Sequence, residues 1–209
     1  AWVSTGVRCK GEDAEGVIGG IDFLRKVVRN ETIDLGKNVA IVGGGNTAMD
    51  ACRTAVRLGA DKVYNIYRRT KDEMPADMLE IEEAEEEGVI FLNLTNPLEI
   101  ISDENGHCRQ MVLQVMELGE PDASGRRAPI PVEGKTETID VDTVILAIGQ
   151  RVNAESIEGA ELTRKGGLVY DKDTYMTALP GVFAGGDCGN DKISIAVEAI
   201  GDAKKSYLI

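Results

Sequence analysis

Three short apolar runs organise the first half of the chain. Asn38-Val39-Ala40-Ile41-Val42 is continuous rather than alternating and ends in three glycines. Val63 to Tyr67 and Val89 to Leu94 are of similar length and rich in β-branched and aromatic residues. Runs this short, bounded by turn residues, predict buried strands of a parallel sheet. Between them the period changes. Ala48, Ala51, Cys52, Ala55 and Leu58 recur at helical spacing from Asn46 to Leu58, and Gly59 ends the pattern. Small residues on that face let a helix lie close to a sheet. Ala76 to Glu87 predicts a second helix, with Met78, Leu79, Ile81 and Ala84 inward and six glutamates forming a solvated face. Ile21 to Val28 predicts a shorter helix with Phe23, Leu24, Val27 and Val28 on one face. Strand, glycine turn, helix and strand together make a βαβ unit of about 30 residues. Residues 1–18 carry no periodicity.

The second half reads differently. Glu99 to Ser102, Arg109 to Leu118 and Thr136 to Val141 are strand-like without helices between them, and Asp103-Glu104-Asn105-Gly106 is a hairpin signal. Gly119 to Pro131, with Pro121, Pro129 and Pro131, predicts a mobile polar loop. The segment therefore reads as an antiparallel meander inserted into a parallel sheet. Thr143 to Gly149 returns to a continuous apolar run. After Gln150, short strands are expected at Leu168 to Tyr170 and Val182 to Ala184, a turn at Gly185-Gly186-Asp187, and a helix from Ser194 to Leu208 striped by Ile195, Ala199, Ile200, Ala203 and Tyr207. This last stretch carries little core of its own and is expected to complete another domain.

Composition narrows the function. Of 209 residues, 43% are apolar, enough for a real core. The net charge is −13 and no long basic run occurs, which argues against nucleic acid or an anionic membrane surface as partner. No apolar run approaches the roughly 18 residues that cross a bilayer. Cys9, Cys52, Cys108 and Cys188 are widely spread with no C-x-x-C, which suits reduced thiols in a cytoplasmic protein. The single histidine, His107, follows a turn and reads as an exposed neighbour of it. No Ser, Cys and His constellation supports nucleophilic catalysis, so no catalytic residue and no metal site are assigned.

Gly43-Gly44-Gly45-Asn46-Thr47-Ala48 fits G-x-G-x-x-A. Gly43 permits the tight turn, Gly45 lets a pyrophosphate approach the backbone, and Ala48 lets helix and strand pack. The unpaired N–H groups and the positive dipole end at the helix start face the anion. An apolar strand before the turn and a small-residue helix after it supply the context that a lone glycine pattern lacks. NAD sites carry an acidic residue about 20 positions on, at the end of the second strand. Here that strand ends Tyr67-Arg68-Arg69, with Arg68 25 positions after Gly43. Guanidinium groups bind a 2′-phosphate bidentately and a carboxylate repels it, so NADPH is expected over NADH.

Thr177 to Asp187, reading Thr-Ala-Leu-Pro-Gly-Val-Phe-Ala-Gly-Gly-Asp, resembles the C-terminal FAD motif of flavoprotein reductases with two dinucleotide-binding domains. Val39 to Asp50, Tyr67-Arg68-Arg69 with Met74-Pro75-Ala76, and Glu86-Glu87-Gly88-Val89 together look like the small (beta) subunit of NADPH-dependent glutamate synthase and its relatives. Those relatives include the flavin subunit of a bifurcating ferredoxin:NADP reductase and part of dihydropyrimidine dehydrogenase. The resemblance implies an α/β fold: a linker over residues 1–18, a Rossmann-like NADPH domain with its β-meander over 19–150, and the C-terminal part of an FAD-binding domain over 151–209. It implies that Asp187 with Gly186 holds FAD, that the helix start at Ser194, Ile195 and Ala196 faces the flavin, and that Gly149 closes the strand between the two nucleotide domains. It further implies an oxidoreductase passing electrons from NADPH through FAD, with iron–sulfur centres, to a large subunit that makes glutamate, or to another redox partner. The family's first FAD-binding βαβ and its iron–sulfur region are expected before Ala1. Without them the chain should bind FAD weakly and be inactive alone, and a non-catalytic nucleotide-binding module is the alternative reading.

Overall fold

The computed structural model describes residues 2–123, 125, 127–154, 157–164, 166–189 and 196–207. In chain order its strands and α-helices are β1 (Trp2–Ser4), β2 (Val17–Gly19), α1 (Gly20–Val28), β3 (Asn38–Val42), α2 (Asn46–Arg57), β4 (Lys62–Tyr67), α3 (Met78–Glu86), β5 (Ile90–Asn93), β6 (Thr95–Ser102), β7 (Cys108–Pro121), β8 (Arg127–Asp140), β9 (Thr143–Leu146), β10 (Gln150–Val152) and α4 (Ala196–Tyr207). Contacts divide the chain into two units, Ser4–Gly149 and the stretch from Gln150 onward with the first three residues.

In the larger unit five strands pair in parallel in the order β2-β9-β3-β4-β5. The unbroken apolar character of Asn38–Val42 follows from burial on both faces. Successive side chains of a strand point opposite ways. Val39 and Ile41 pack with Phe23 of α1, Ala48, Ala51 and Ala55 of α2, and Ile81 and Ala84 of α3. Ala40 and Val42 pack on Ile100, Met111 and Leu113 of the antiparallel sheet β6-β7-β8. Helices, parallel sheet and meander thus form three layers. From β3 the chain steps through α2 to β4 and through α3 to β5, whereas β9 and β2 lie on the other side of β3. The C-terminal ends of β3 and β9 therefore flank the reversal of strand order, where open α/β sheets form their binding crevice.

Asp142 locks the opposite end of this sheet. Its Oδ2 accepts N–H bonds from Lys37 and Asn38, each 2.9 Å, joining the starts of β3 and β9. Burial disfavours the charge, but the N–H groups of Asn38 and Lys37 and the Arg109 guanidinium outweigh it and hold the carboxyl below its ordinary value. A depressed folded-state pKa gives stability that is complete above the unfolded value, about 3.9, and lost as pH falls through the lower folded value. Asp142→Ala is expected to cost about 1–3 kcal/mol at neutral pH. Thermal unfolding from neutral to acid pH checks this: the gap to wild type should close below about pH 4.

Several elements depart from expectation. β1 and β2 occupy part of residues 1–18, where no periodicity is visible. Met78 and Leu79 are 48% and 60% exposed rather than inward, because α3 begins only at Met78 and Met74 from the preceding loop fills the core beside Ile81 and Ala84. The α3 glutamates are not simply solvated: Glu80, Glu83 and Glu87 converge on Arg53 at 2.7, 2.6 and 2.8 Å, and Glu85 reaches Lys71 at 2.5 Å. Gly119 to Pro131 is mostly strand, since β7 and β8 pair as far as Pro121 and Arg127. Pro129 and Pro131 are tolerated there because β8 is an edge strand with one neighbour.

The smaller unit holds a minor core of Ala154, Leu168 and Ala184. β1 and β10 pair as a two-stranded sheet. The strands expected at Leu168 to Tyr170 and Val182 to Ala184 reduce to single bridges, Leu162 to Leu168 and Met176 to Phe183, because among the described residues no neighbouring strand extends them. The rings of Tyr170 and Tyr175 stack at 5.7 Å. On α4 the expected stripe is largely exposed, with Ile200 at 56% and Tyr207 at 88%. Among the described residues no helix is long and apolar enough to cross a membrane.

Candidate nucleotide site

Gly43 leaves β3 with φ +144°, a conformation that L side chains rarely adopt. A methyl group on it would lie 2.3 Å from the carbonyl oxygen of Ala147. Its N–H donates to the carbonyl of Ile66 at 3.0 Å, and its carbonyl accepts from Asn65 Nδ2 at 2.9 Å. Gly44 is pressed against the ring of Tyr67, where a methyl would lie 2.6 Å from a ring carbon. Gly45 differs. Its backbone is extended, at φ −97° and ψ 174°, and a methyl there would meet nothing within 4 Å.

Gly45 is the N-cap of α2, and no side chain caps the helix. Its carbonyl accepts from Ala48 and Met49, whereas the N–H groups of Gly45, Asn46 and Thr47 make no hydrogen bond among the described residues. Unpaired donors and the positive dipole end thus share one open spot, the arrangement that receives a phosphate. Ala48 is fully buried beneath it and Thr47 half-buried. The Asn46 side chain faces another task. Its Oδ1 accepts from the N–H of Asp77 at 2.9 Å, and Asp77 caps α3 through Leu79 at 2.9 Å. The Ala76 N–H donates to the carbonyl of Gly44 at 3.0 Å, and the Tyr67 hydroxyl donates to the carbonyl of Glu73 at 2.7 Å. The Met74-Pro75-Ala76 segment is therefore strapped onto the glycine turn.

β3 and β4 run side by side with Val42 opposite Ile66, so the residues after Tyr67 emerge next to the turn. Arg68 is exposed, and its side chain makes no hydrogen bond or ion pair among the described residues. Arg69 is 8% exposed, with a buried Nε that has no partner among the described residues, and its carbonyl accepts from the Leu94 N–H at 3.0 Å. Gly149, at φ +139°, follows β9 and accepts from the Thr5 N–H at 3.0 Å.

In the smaller unit Gly186 has φ +61°, and a methyl on it would lie 2.8 Å from Cβ of Ala199, so α4 packs directly on this turn. Asp202 holds it, with Oδ2 accepting from the Gly186 N–H at 2.7 Å and Oδ1 from the Tyr175 hydroxyl at 3.0 Å. Asp187 is half-buried and its carboxylate has no partner among the described residues. Ala196 opens α4 and is exposed; Ser194 and Ile195 lie outside the described residues.

Asn65 escapes sequence reading because one amide inside Val63-Tyr64-Asn65-Ile66-Tyr67 carries no periodic signal. The four cysteines are unpaired. Burial pushes the Cys52 thiol up to about 12, which leaves it inert at neutral pH. His107 is exposed beside Glu15, 3.5 Å away.

Comparison with known proteins agrees with this architecture. Residues 3–203 match the pyridine nucleotide-disulphide oxidoreductase family. The chain is 45% identical over 87% of its length to the NADP(+)-dependent formate dehydrogenase subunit beta of Moorella thermoacetica, covering 26% of that protein. It is 40% identical over 90% of its length to the NADPH-Fe(3+) oxidoreductase subunit beta of Geobacter sulfurreducens, covering 31% of it. To the glutamate synthase [NADPH] small chain of Escherichia coli it is 37% identical over 93% of its length, covering 45% of it. The chain thus spans less than half the length of these relatives. Among solved structures, FprA of Mycobacterium tuberculosis in complex with NADPH superposes with a TM-score of 0.77 at 18% identity, covering 97% of this chain and 59% of that one. Thioredoxin reductase of T. acidophilum gives 0.72 at 18% identity, covering 100% and 62%. These two likenesses establish the α/β fold of the flavoprotein reductases with two dinucleotide-binding domains. With the family match running through nearly its whole length, the chain belongs to the pyridine nucleotide-disulphide oxidoreductase family.

Proposed function

We propose that this chain is the NADPH-binding module of a flavoprotein oxidoreductase that passes electrons from NADPH to FAD and on to a redox partner. The uncapped start of α2, with open space over Gly45, is the observation that carries the reading. It fits a diphosphate: a glycine-lined cradle, four amides from Gly44 to Thr47 unengaged among the described residues and a helix dipole of the right sign. Bound together, nicotinamide and flavin supply the redox chemistry. The protein's part is position and electrostatics. The amides of Gly44, Gly45, Asn46 and Thr47 hold the diphosphate, with Gly43 and Ala48 shaping the turn. Arg68 and Arg69 hold the 2′-phosphate. Gly149 bounds the crevice beside Gly43. Gly186, Asp187, Ser194, Ile195 and Ala196, where α4 opens, are the FAD contacts. In domain terms, residues 19–150 bind NADPH and 151–209 belong to the FAD-binding part.

The partner is a separate question. Identity of 37% to the glutamate synthase small chain supports a role beside a large glutamate synthase subunit, in glutamate biosynthesis. The higher identities to beta subunits of a formate dehydrogenase and an Fe(3+) reductase favour a second reading, an electron-distributing subunit serving another redox enzyme. Unpaired thiols support a cytoplasmic setting. Fluorescence titration tests the core of the proposal. NADPH should bind saturably and at least about tenfold more tightly than NADH; equal affinities, or no binding, would overturn it.

A further inference from the structure

Resting on the diphosphate reading above, we propose that Asn65 is a positioning residue: from inside the sheet it fixes the orientation of the Gly43–Gly44 peptide and so aims the Gly44 N–H at the phosphate site. Asn65 is 0% exposed in the middle of β4, between Val63 and Ile66 that face the two cores. An amide in such a place is costly, and this one leaves its Oδ1 buried without a partner among the described residues. A valine would carry no such cost. What the amide gains is directed donation from Nδ2, to the Gly43 carbonyl at 2.9 Å and more weakly to Cys52 Sγ at 3.7 Å. The amide cannot be reversed, since Oδ1 would then face the carbonyl oxygen, acceptor against acceptor.

The effect on the turn follows from peptide geometry. In a planar trans peptide the C=O and the next N–H point in opposite directions. Drawing the Gly43 carbonyl inward to Asn65 therefore turns the Gly44 N–H outward, and that N–H makes no hydrogen bond among the described residues. Two consecutive glycines leave this peptide free to flip. The preceding peptide is already fixed, because the Gly43 N–H donates to Ile66 at 3.0 Å. Asn65 fixes the next one, and both anchors come from β4.

The test is Asn65→Val, close in size and suited to a strand. It should unfold close to wild type, because one orphaned acceptor, Asn65 Oδ1, is removed while another, the Gly43 carbonyl, loses its donor and is relieved only if its peptide flips. NADPH and NADH should each bind about tenfold more weakly, by the same factor, since the diphosphate is common to both. In apo protein the Gly44 amide resonance should broaden while those of Val39 to Val42, though shifted by the new neighbour, stay sharp. A folded variant with a sharp, unmoved Gly44 resonance, or with wild-type affinity for both nucleotides, would overturn the proposal. Should the variant not fold, wild-type protein decides: Asn65 side-chain NH2 protons that exchange slowly support the anchor, and fast exchange refutes it. Failure of wild type to bind either nucleotide would instead sink the function proposed above, while the Gly44 resonance still decides the role of Asn65.

Discussion

Gly45→Ala is expected to unfold within a few degrees of wild type and to lose both NADPH and NADH. Its φ of −97° suits any L-residue, and the added methyl meets nothing within 4 Å. Alanine is a poorer N-cap than glycine by about 0.5–1 kcal/mol, a shift of roughly 1–4 °C in a protein of this size. The same methyl stands where the diphosphate must approach the amides of Asn46 and Thr47. Charge-assisted hydrogen bonds are worth about 1.5–3 kcal/mol each, so losing two weakens binding at least about 100-fold. Gly43→Ala makes the contrast. There the backbone sits at φ +144° and the methyl falls 2.3 Å from the Ala147 carbonyl oxygen. Strain and overpacking together predict a loss of about 2–4 kcal/mol in stability. Calorimetric unfolding beside nucleotide titration separates the two glycines: one serves the ligand, the other the fold. A Gly45→Ala protein that binds normally would remove the diphosphate from this turn.

The paired arginines should show the second large effect. Arg68→Ala with Arg69→Ala is expected to weaken NADPH about 100-fold and NADH less than about threefold, because a 2′-phosphate is the sole difference between the two ligands. The singles should differ in stability. Arg68 is exposed and has no partner among the described residues, so Arg68→Ala should leave the unfolding temperature unchanged. Arg69 is 8% exposed, so Arg69→Ala removes buried packing and should destabilise as well. Titration of both nucleotides against all three variants checks this. Equal losses for NADPH and NADH would reject the 2′-phosphate assignment.

Local signals carried much of the architecture. Asn38–Val42, the glycine turn and α2 are legible because strand length, turn chemistry and helical period coincide within twenty residues. The meander is legible in outline because alternating strands and a hairpin turn are also local. Long-range choices are not legible. Nothing in the sequence says that Arg53 draws Glu80, Glu83 and Glu87 to itself, or that Met74 takes the core place that helical spacing assigns to Met78 and Leu79. The prolines of β8 read as a loop because their tolerance depends on β8 having a single neighbour, a property of the sheet. At the candidate site, Gly43 to Ala48 and the arginines stand out by motif. Asn65 and the strap from Ala76 and Asp77 do not, because their roles exist only once β4 and α3 lie beside the turn.

A crystal of this chain soaked in NADPH gives the most direct test of the central claim. The diphosphate should lie within hydrogen-bonding distance of the Gly45, Asn46 and Thr47 amides, with the 2′-phosphate against the guanidinium groups that follow Tyr67. Density for the nucleotide elsewhere, or a turn left empty at saturating NADPH, would contradict it.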